Sequence, residues 1–191
     1  MDKRELLFKY RSYTPVPFIL LILILSRTNF VYYILGLIII LSGELLRLVT
    51  VGYAGIFTRA STVVAPELVT NGPYAYVRNP LYIANIIIYL GFSVMSWALV
   101  PWIFLIVILL FGVQYLLIIS LEEDFLIEKF GESYRSYKKA VPRLIPSLRP
   151  YFNRSNHTFN LERALKSEKR TFQSISIVSI LILIRWLTAS V

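Results

Sequence analysis

Two short stretches of this sequence combine residue types that suit the capture of a small charged ligand. The first is Asn71-Gly72-Pro73-Tyr74-Ala75-Tyr76-Val77-Arg78-Asn79-Pro80-Leu81-Tyr82, a turn-forming island directly before a long apolar run. Pro80 suits the first position of a helix, where its missing N–H has no partner to lose, and Asn79 suits the N-cap before it. A helix N-terminus offers free N–H groups and a partial positive charge, and Arg78 adds a full one, so an anionic group is expected there. The second stretch is Glu122-Glu123-Asp124, which opens an amphipathic segment reaching Phe130, with Gly131 as its stop. On a helix Glu123 shares a face with Ile127 and Phe130, while Glu122 lines up with Leu126 and Lys129. The two carboxylates therefore point about 100° apart and cannot act alike.

A third pair, Glu44 and Arg47, lies three positions apart within an apolar run and so on one helix face. Charges inside a membrane span are costly and face a partner or water. The pair reads either as a self-neutralising bridge, with Arg47 snorkelling to the headgroups, or as the polar wall of a cavity.

The elements that must position these residues are membrane helices. With 57% hydrophobic residues and a mean hydropathy of +0.65, the 191-residue chain lies outside the soluble range. The expected fold is all-α and polytopic, with about five transmembrane helices: Thr14 to Leu25, Phe30 to Val49, Leu81 to Leu99, Trp102 to Leu121 and Ile175 to Leu187. The first and last are short for a span of about 20 residues; the first starts at Pro15 and Pro17 or earlier, around Tyr10, and forms a hairpin with the second. The connection over 50–79, which carries Arg59, is too polar to span. A short helix from Ser133 to Ala140 stacks Tyr134 and Tyr137 on one face, and Leu161 to Arg170 is a basic helical patch of Arg163, Lys166, Lys169 and Arg170 suited to anionic headgroups.

Charge placement orients the arrangement. Of 20 Lys and Arg, segments 1–13, 50–79 and 122–173 carry 4, 2 and 11, which places the N-terminus and both ligand-binding stretches on the cytoplasmic side. The net charge of +9 reads as this bias rather than as a nucleic-acid surface. No cleavable leader is expected, since Ser26-Arg27-Thr28-Asn29 lacks cleavage-site spacing. Absence of cysteine removes disulfides, thiolate nucleophiles and thiolate metal sites, and the single His157, read as a solvated loop residue, removes a histidine-rich metal site. The eight glycines never form G-x-G-x-x-G, which excludes a soluble Rossmann-type methyltransferase.

A short turn between the third and fourth helices makes them antiparallel neighbours, so Arg78 and Asn79 face Glu122 and Glu123 across a small gap. One cationic and one acidic pole among Tyr74, Tyr76, Tyr82, Phe130 and Tyr134 suit a zwitterionic ligand with an aromatic part. S-adenosylmethionine fits: Arg78 and the helix N-terminus for its carboxylate, a glutamate for its ammonium or ribose hydroxyls, the tyrosines for adenine. On the residues alone, an Arg–Glu bridge that merely ties two helices together is an equal reading.

The island, Glu122-Glu123-Asp124-Phe125-Leu126, and the run from Phe130-Gly131-Glu132-Ser133-Tyr134 to Val141-Pro142-Arg143 together resemble the isoprenylcysteine carboxyl methyltransferase and phospholipid methyltransferase family of membrane enzymes, especially its bacterial branch. The likeness covers about 43–146, including Gly43-Glu44-Leu45-Leu46-Arg47, within a single domain of 1–191 whose tail is 147–191. It implies S-adenosylmethionine held at the cytoplasmic face by Arg78-x-Pro80-x-Tyr82 and the glutamate pair. Family members commonly carry histidine between the arginine and the proline, where this chain has Asn79, which can cap and donate but cannot titrate near neutrality. Ala84 keeps the small residue common after the motif tyrosine. The expected acceptor is lipophilic and enters from the bilayer, with its head group near Glu44, Arg47 and Arg143; these residues name neither the acceptor nor an oligomeric state. Two rivals are an NADPH-dependent membrane reductase, which the acidic pair disfavours, and a non-catalytic scaffold, which leaves the acidic pair and arginine unexplained.

Overall fold

Helix-stop residues divide the apolar runs. The computed structural model describes residues 2–55 and 63–189, and among these every regular element is helical. Helix α1 (Lys3–Tyr10) is capped by Asp2, whose carboxylate accepts from the Arg4 N–H at 2.9 Å. Pro15 and Pro17 cannot join a continuing ladder, so α2 (Pro15–Ile24) starts afresh at 53° to α1. Helix α3 (Phe30–Ala54) begins with the Asn29 side chain accepting from Tyr32 N–H at 2.9 Å and ends at Gly55, whose φ of +80° suits glycine. It outruns its expected end at Val49 because Thr50 to Ala54 contains no proline, and Gly52, whose missing side chain leaves room for the Phe159 ring, stays within the ladder. The expected connection over 50–79 is shortened accordingly, and its Arg59 falls outside the described residues.

Helix α4 (Pro80–Ser96) follows the island, and α5 (Trp102–Phe130) is one unbroken helix that stops at Gly131 (φ +54°). The short α6 (Glu132–Ala140) turns back from it. Helix α7 (Leu161–Ala189) corrects one expectation: the basic patch and the final apolar helix are a single rod. Thr171-Phe172-Gln173-Ser174 interrupts the apolar pattern but contains neither glycine nor proline, so the ladder continues. Helices α3, α5 and α7 are long and apolar enough to cross a membrane, α1 with α2 would add a fourth as one bent span, and the 17-residue α4 is apolar but shorter.

The tightest packing is between antiparallel α3 and α4. Small residues let the backbones approach: Gly36 lies against Met95, Gly91 against Ile40, and Gly43 against Ile88 and the Ala84 carbonyl. Helix α2 packs on α4 and α7 and α3 on α4 and α7, in place of the expected α2–α3 hairpin, because the small-residue face of α3 matches that of α4. The buried core runs through Phe18, Ile40, Met95, Val107 and Phe111, with Tyr89 stacked on Phe111 at 4.0 Å and Phe18 edge-on to both. At one end of the bundle Arg27 N–H and the Ser26 hydroxyl bond to the Ser96 carbonyl. At the other end the C-termini of α3 and α5 meet the N-termini of α4 and α7, and there the charged side chains gather.

Candidate functional site

Because α4 starts where α5 leaves its apolar stretch, Arg78 lies directly against Glu123. Its Nε and Nη2 donate to Glu123 Oε1 at 3.0 and 2.8 Å, and its Nη1 donates to the carbonyls of Lys138 and Val141 at 2.7 and 2.5 Å. The Arg78 N–H also donates to the Pro142 carbonyl at 2.9 Å, which laces the segment after α6 to the start of α4. Glu123, 2% exposed, takes two further cations: Arg143 at 2.6 Å and Lys138 at 3.2 Å. The expected gap between Arg78 and the carboxylates is thus closed on the Glu123 side by a direct ion pair, since a buried cation and anion at adjacent helix ends gain most in contact.

Glu122 faces another way, accepting from the Tyr82 hydroxyl at 2.8 Å, with the Tyr82 ring tilted 4.7 Å from Tyr115. Asn79 occupies the N-cap position before Pro80, but its side chain caps nothing; its amide donates to the Arg143 carbonyl at 3.1 Å. The island's other tyrosines divide. The half-buried Tyr74 offers its carbonyl to the Tyr137 hydroxyl at 2.7 Å, and Tyr76 is 41% exposed with its carbonyl taken by Ser147 N–H at 2.8 Å. Tyr134 is enclosed with Tyr137 and Val141 in a satellite core beneath Leu68, Phe130 and Tyr151. Burial pushes the Tyr134 and Tyr137 phenols well above the usual tyrosine range.

A second network lies in the same end of the bundle. Arg47 forks onto Glu168 of α7, Nε and Nη2 lying 3.0–3.1 Å from its oxygens, and donates through Nη1 to Asn85 of α4. Glu44, 3% exposed, lies 3.7 Å from Arg47. Arg143, grouped from sequence with Glu44 and Arg47, makes its ion pair in the Arg78–Glu123 cluster instead, because Pro142 is tied to the α4 N-terminus.

Sequence reasoning missed Glu168, Asn85 and Lys138. A signal for Glu168 existed: Ala164, Glu168, Ile175, Val178 and Ile182 are all buried along one helical face of α7, so an acid within a basic run stood at a core position. The four basic residues around it, Arg163, Lys166, Lys169 and Arg170, are exposed. His157 is half-buried rather than solvated, paired with Glu67 at 2.6 Å while its carbonyl accepts from Asn71. An open cleft of about 400 Å³ lies elsewhere, between Thr70, α6 and residues 151–155. Among the described residues no group of three or more acidic or histidine side chains is placed to hold a metal ion.

A 94-residue stretch is 33% identical to the cobalt-zinc-cadmium resistance protein CzcN of Cupriavidus metallidurans, covering 49% of this chain and 42% of that one. Protein-S-isoprenylcysteine O-methyltransferases are similar too: that of Schizosaccharomyces pombe is 39% identical over 41% of this chain and 33% of its own length, and that of Dictyostelium discoideum 32% identical over 64% and 53%. The chain thus spans between a third and about half of the length of these curated relatives. No solved structure gives a significant match. The profile of the phospholipid methyltransferases matches residues 31–133, more than half of the chain and the whole stretch from α3 to the start of α6, and the chain belongs to that family.

Proposed function

We propose that this chain is a multi-pass membrane methyltransferase that uses S-adenosylmethionine to methylate a lipophilic acceptor reaching it from the bilayer. The observation that carries the reading is the convergence of Arg78, Arg143 and Lys138 on the single carboxylate of Glu123, beside the N-terminus of α4. Three cations against one anion leave a local positive excess, and together with a helix N-terminus that excess favours a carboxylate. Next to it Glu122, held by the Tyr82 hydroxyl, supplies an acceptor for an ammonium or ribose hydroxyl. This donor set fits a zwitterionic amino-acid ligand: Arg78, Arg143 and the start of α4 for its carboxylate, Glu122 for its ammonium or ribose hydroxyls, Glu123 to hold the cations in place, and Tyr74, Tyr76 and Tyr82 along its flank. The bound sulfonium supplies an already activated methyl group.

The chain's own task is then to position the partners and keep water out. Glu44 and Arg47 form the substrate side, and a carboxylate acceptor needs no base there, whereas an amine or phenol needs a proton acceptor such as Glu44. In the arrangement proposed, α2 and α4 cross as short spans beside α3, α5 and α7, and the charged end of the bundle faces the cytoplasm, in keeping with the Lys and Arg bias of its segments.

The test is calorimetric titration of S-adenosylhomocysteine into detergent-purified protein. Micromolar binding is expected in the wild type, with loss in Arg78→Ala and Glu123→Ala and weakening in the more exposed Arg143→Gln. Folded wild type that ignores S-adenosylhomocysteine, or binds NADPH in its place, overturns the proposal.

A further inference from the structure

The segment after Arg143 presents three large apolar side chains outside the bundle. Leu144 packs against the main core, but Ile145 is 80%, Leu148 100% and Phe152 99% exposed. Isolated exposed apolar residues are ordinary, whereas three within eight positions of a segment tied down by backbone hydrogen bonds form a display that calls for an apolar environment. The hold is explicit: Ser147 N–H donates to the Tyr76 carbonyl at 2.8 Å and Tyr151 N–H to the Ala75 carbonyl at 2.7 Å, while Pro142 accepts from Arg78 N–H. Pro146 and Pro150 restrict the backbone further. The exposure is therefore a fixed display and not the tip of a slack loop.

Its height and charge identify the partner. The anchors at Ala75, Tyr76 and Arg78 lie just before the first residue of α4, and Arg78 meets Glu123 just past the apolar run of α5, so the segment sits where the apolar helices end. Between Arg143 and Arg154 there is no Asp or Glu, and Arg149 and Arg154 are exposed beside the apolar tips. Alternating apolar and arginine side chains at this level match the boundary between acyl chains and anionic headgroups.

We infer that residues 144–154 form an interfacial anchor, in which Ile145, Leu148 and Phe152 dip into the headgroup region of an anionic leaflet while Arg149 and Arg154 bind its phosphates. The anchor goes beyond methyl transfer and holds whatever the chemistry of the neighbouring site. It would fix the height of the Pro142–Arg143 strap against the bilayer and hence the level at which a lipophilic acceptor enters.

The chain has no cysteine, so single spin labels report cleanly. Leu148→Cys and Phe152→Cys are labelled with a nitroxide in nanodiscs containing phosphatidylglycerol, and power saturation compares collisions with oxygen and with a water-soluble nickel chelate. Glu128→Cys on the exposed end of α5 serves as the aqueous reference and Ile108→Cys as the lipid one. The expected result is oxygen-dominated relaxation at both sites that shifts at least threefold toward the aqueous reference when Arg149 and Arg154 are both changed to Gln. Nickel-dominated relaxation, labels shielded from both agents as by a protein partner, or a lipid signal indifferent to the loss of the arginines each overturns the inference.

Discussion

Replacing Glu168 with Gln removes one charge from a side chain that is 0% exposed and leaves Arg47, 13% exposed, without the fork that neutralises it. Removing one partner of a buried ion pair costs about 3–5 kcal/mol, because the remaining charge stays desolvated. Asn85 still accepts from Arg47, and Glu44 stays 3.7 Å away, so the lower end, about 3 kcal/mol, is expected. That is roughly a hundredfold change in the folding equilibrium. The assay is unfolding in mixed detergent–SDS micelles followed by circular dichroism, with tryptophan fluorescence as a second probe. A triple variant, Glu44→Leu, Arg47→Met and Glu168→Leu, removes all three charges at similar volume and is expected to recover to within about 1 kcal/mol of wild type, as apolar replacement of buried ion triads does. A single-variant loss below about 1 kcal/mol, the range of exposed pairs, refutes a buried clamp between α3 and α7. So does a triple variant no more stable than the single one.

Glycine contacts make a matched pair. A Cβ at Gly36 would fall 2.4–2.5 Å from the Cβ, Cα and N of Met95, so Gly36→Ala must push α3 and α4 apart and is expected to cost about 1–3 kcal/mol. A Cβ at Gly112 meets nothing within 4 Å, so Gly112→Ala should gain about 0.5–1 kcal/mol from backbone entropy; the same unfolding titration reads both, and equal effects would contradict the packing. Tyr137→Phe removes the hydrogen bond to the Tyr74 carbonyl and should cost about 1 kcal/mol. The phenols of Tyr134 and Tyr137 are raised by burial, so the folded chain holds those protons more tightly than the unfolded one. Their contribution is intact below the unfolded tyrosine value of about 10 and is lost as pH rises beyond it. Alkaline unfolding of Tyr137→Phe should accordingly depend less steeply on pH than that of wild type; an unchanged slope contradicts the assignment.

Local grammar made most helix ends legible. The polar turn before Phe30, the prolines at Pro80 and Pro101, and Gly131 mark boundaries by turn chemistry or backbone restriction, and the structure places helix ends at each of them. The helices that ran longer than expected, α3 and α7, did so where polar residues or a lone glycine interrupted an apolar run without a proline, since hydropathy marks what lipid tolerates and not where the hydrogen-bond ladder stops. Of the candidate site, the divergence of Glu122 and Glu123 follows from 100° per residue, and their different partners, Tyr82 and the arginine cluster, express it. The transfer of Arg143 away from Arg47 was not legible, because it depends on a backbone bond from Arg78 to Pro142, some 60 positions on, that no periodicity encodes. Glu168 was hidden for a different reason: its basic neighbours dominate the composition, and only the burial period of α7 separates it from them.

Asn79 decides how the proposed chemistry is divided among the remaining groups. Its amide donates to the Arg143 carbonyl while the Arg143 guanidinium grips Glu123, so this residue steadies the strap that carries one of the three cations. A histidine could make the same donation and also exchange a proton near neutrality; asparagine makes the donation alone. Proton transfer must then come from elsewhere, and Glu123 is poorly placed for it, since Oε1 already accepts from Arg78 and Arg143 and Oε2 meets Arg143 and Lys138. Glu44 and Glu122 are left, the first beside Arg47 and the second accepting from the Tyr82 hydroxyl. An acceptor that arrives already ionised asks nothing of either. On the proposed reading, a lipophilic carboxylate therefore asks less of this network than an amine or a phenol does, because it needs no base, whereas the others must hand a proton to Glu44 or Glu122.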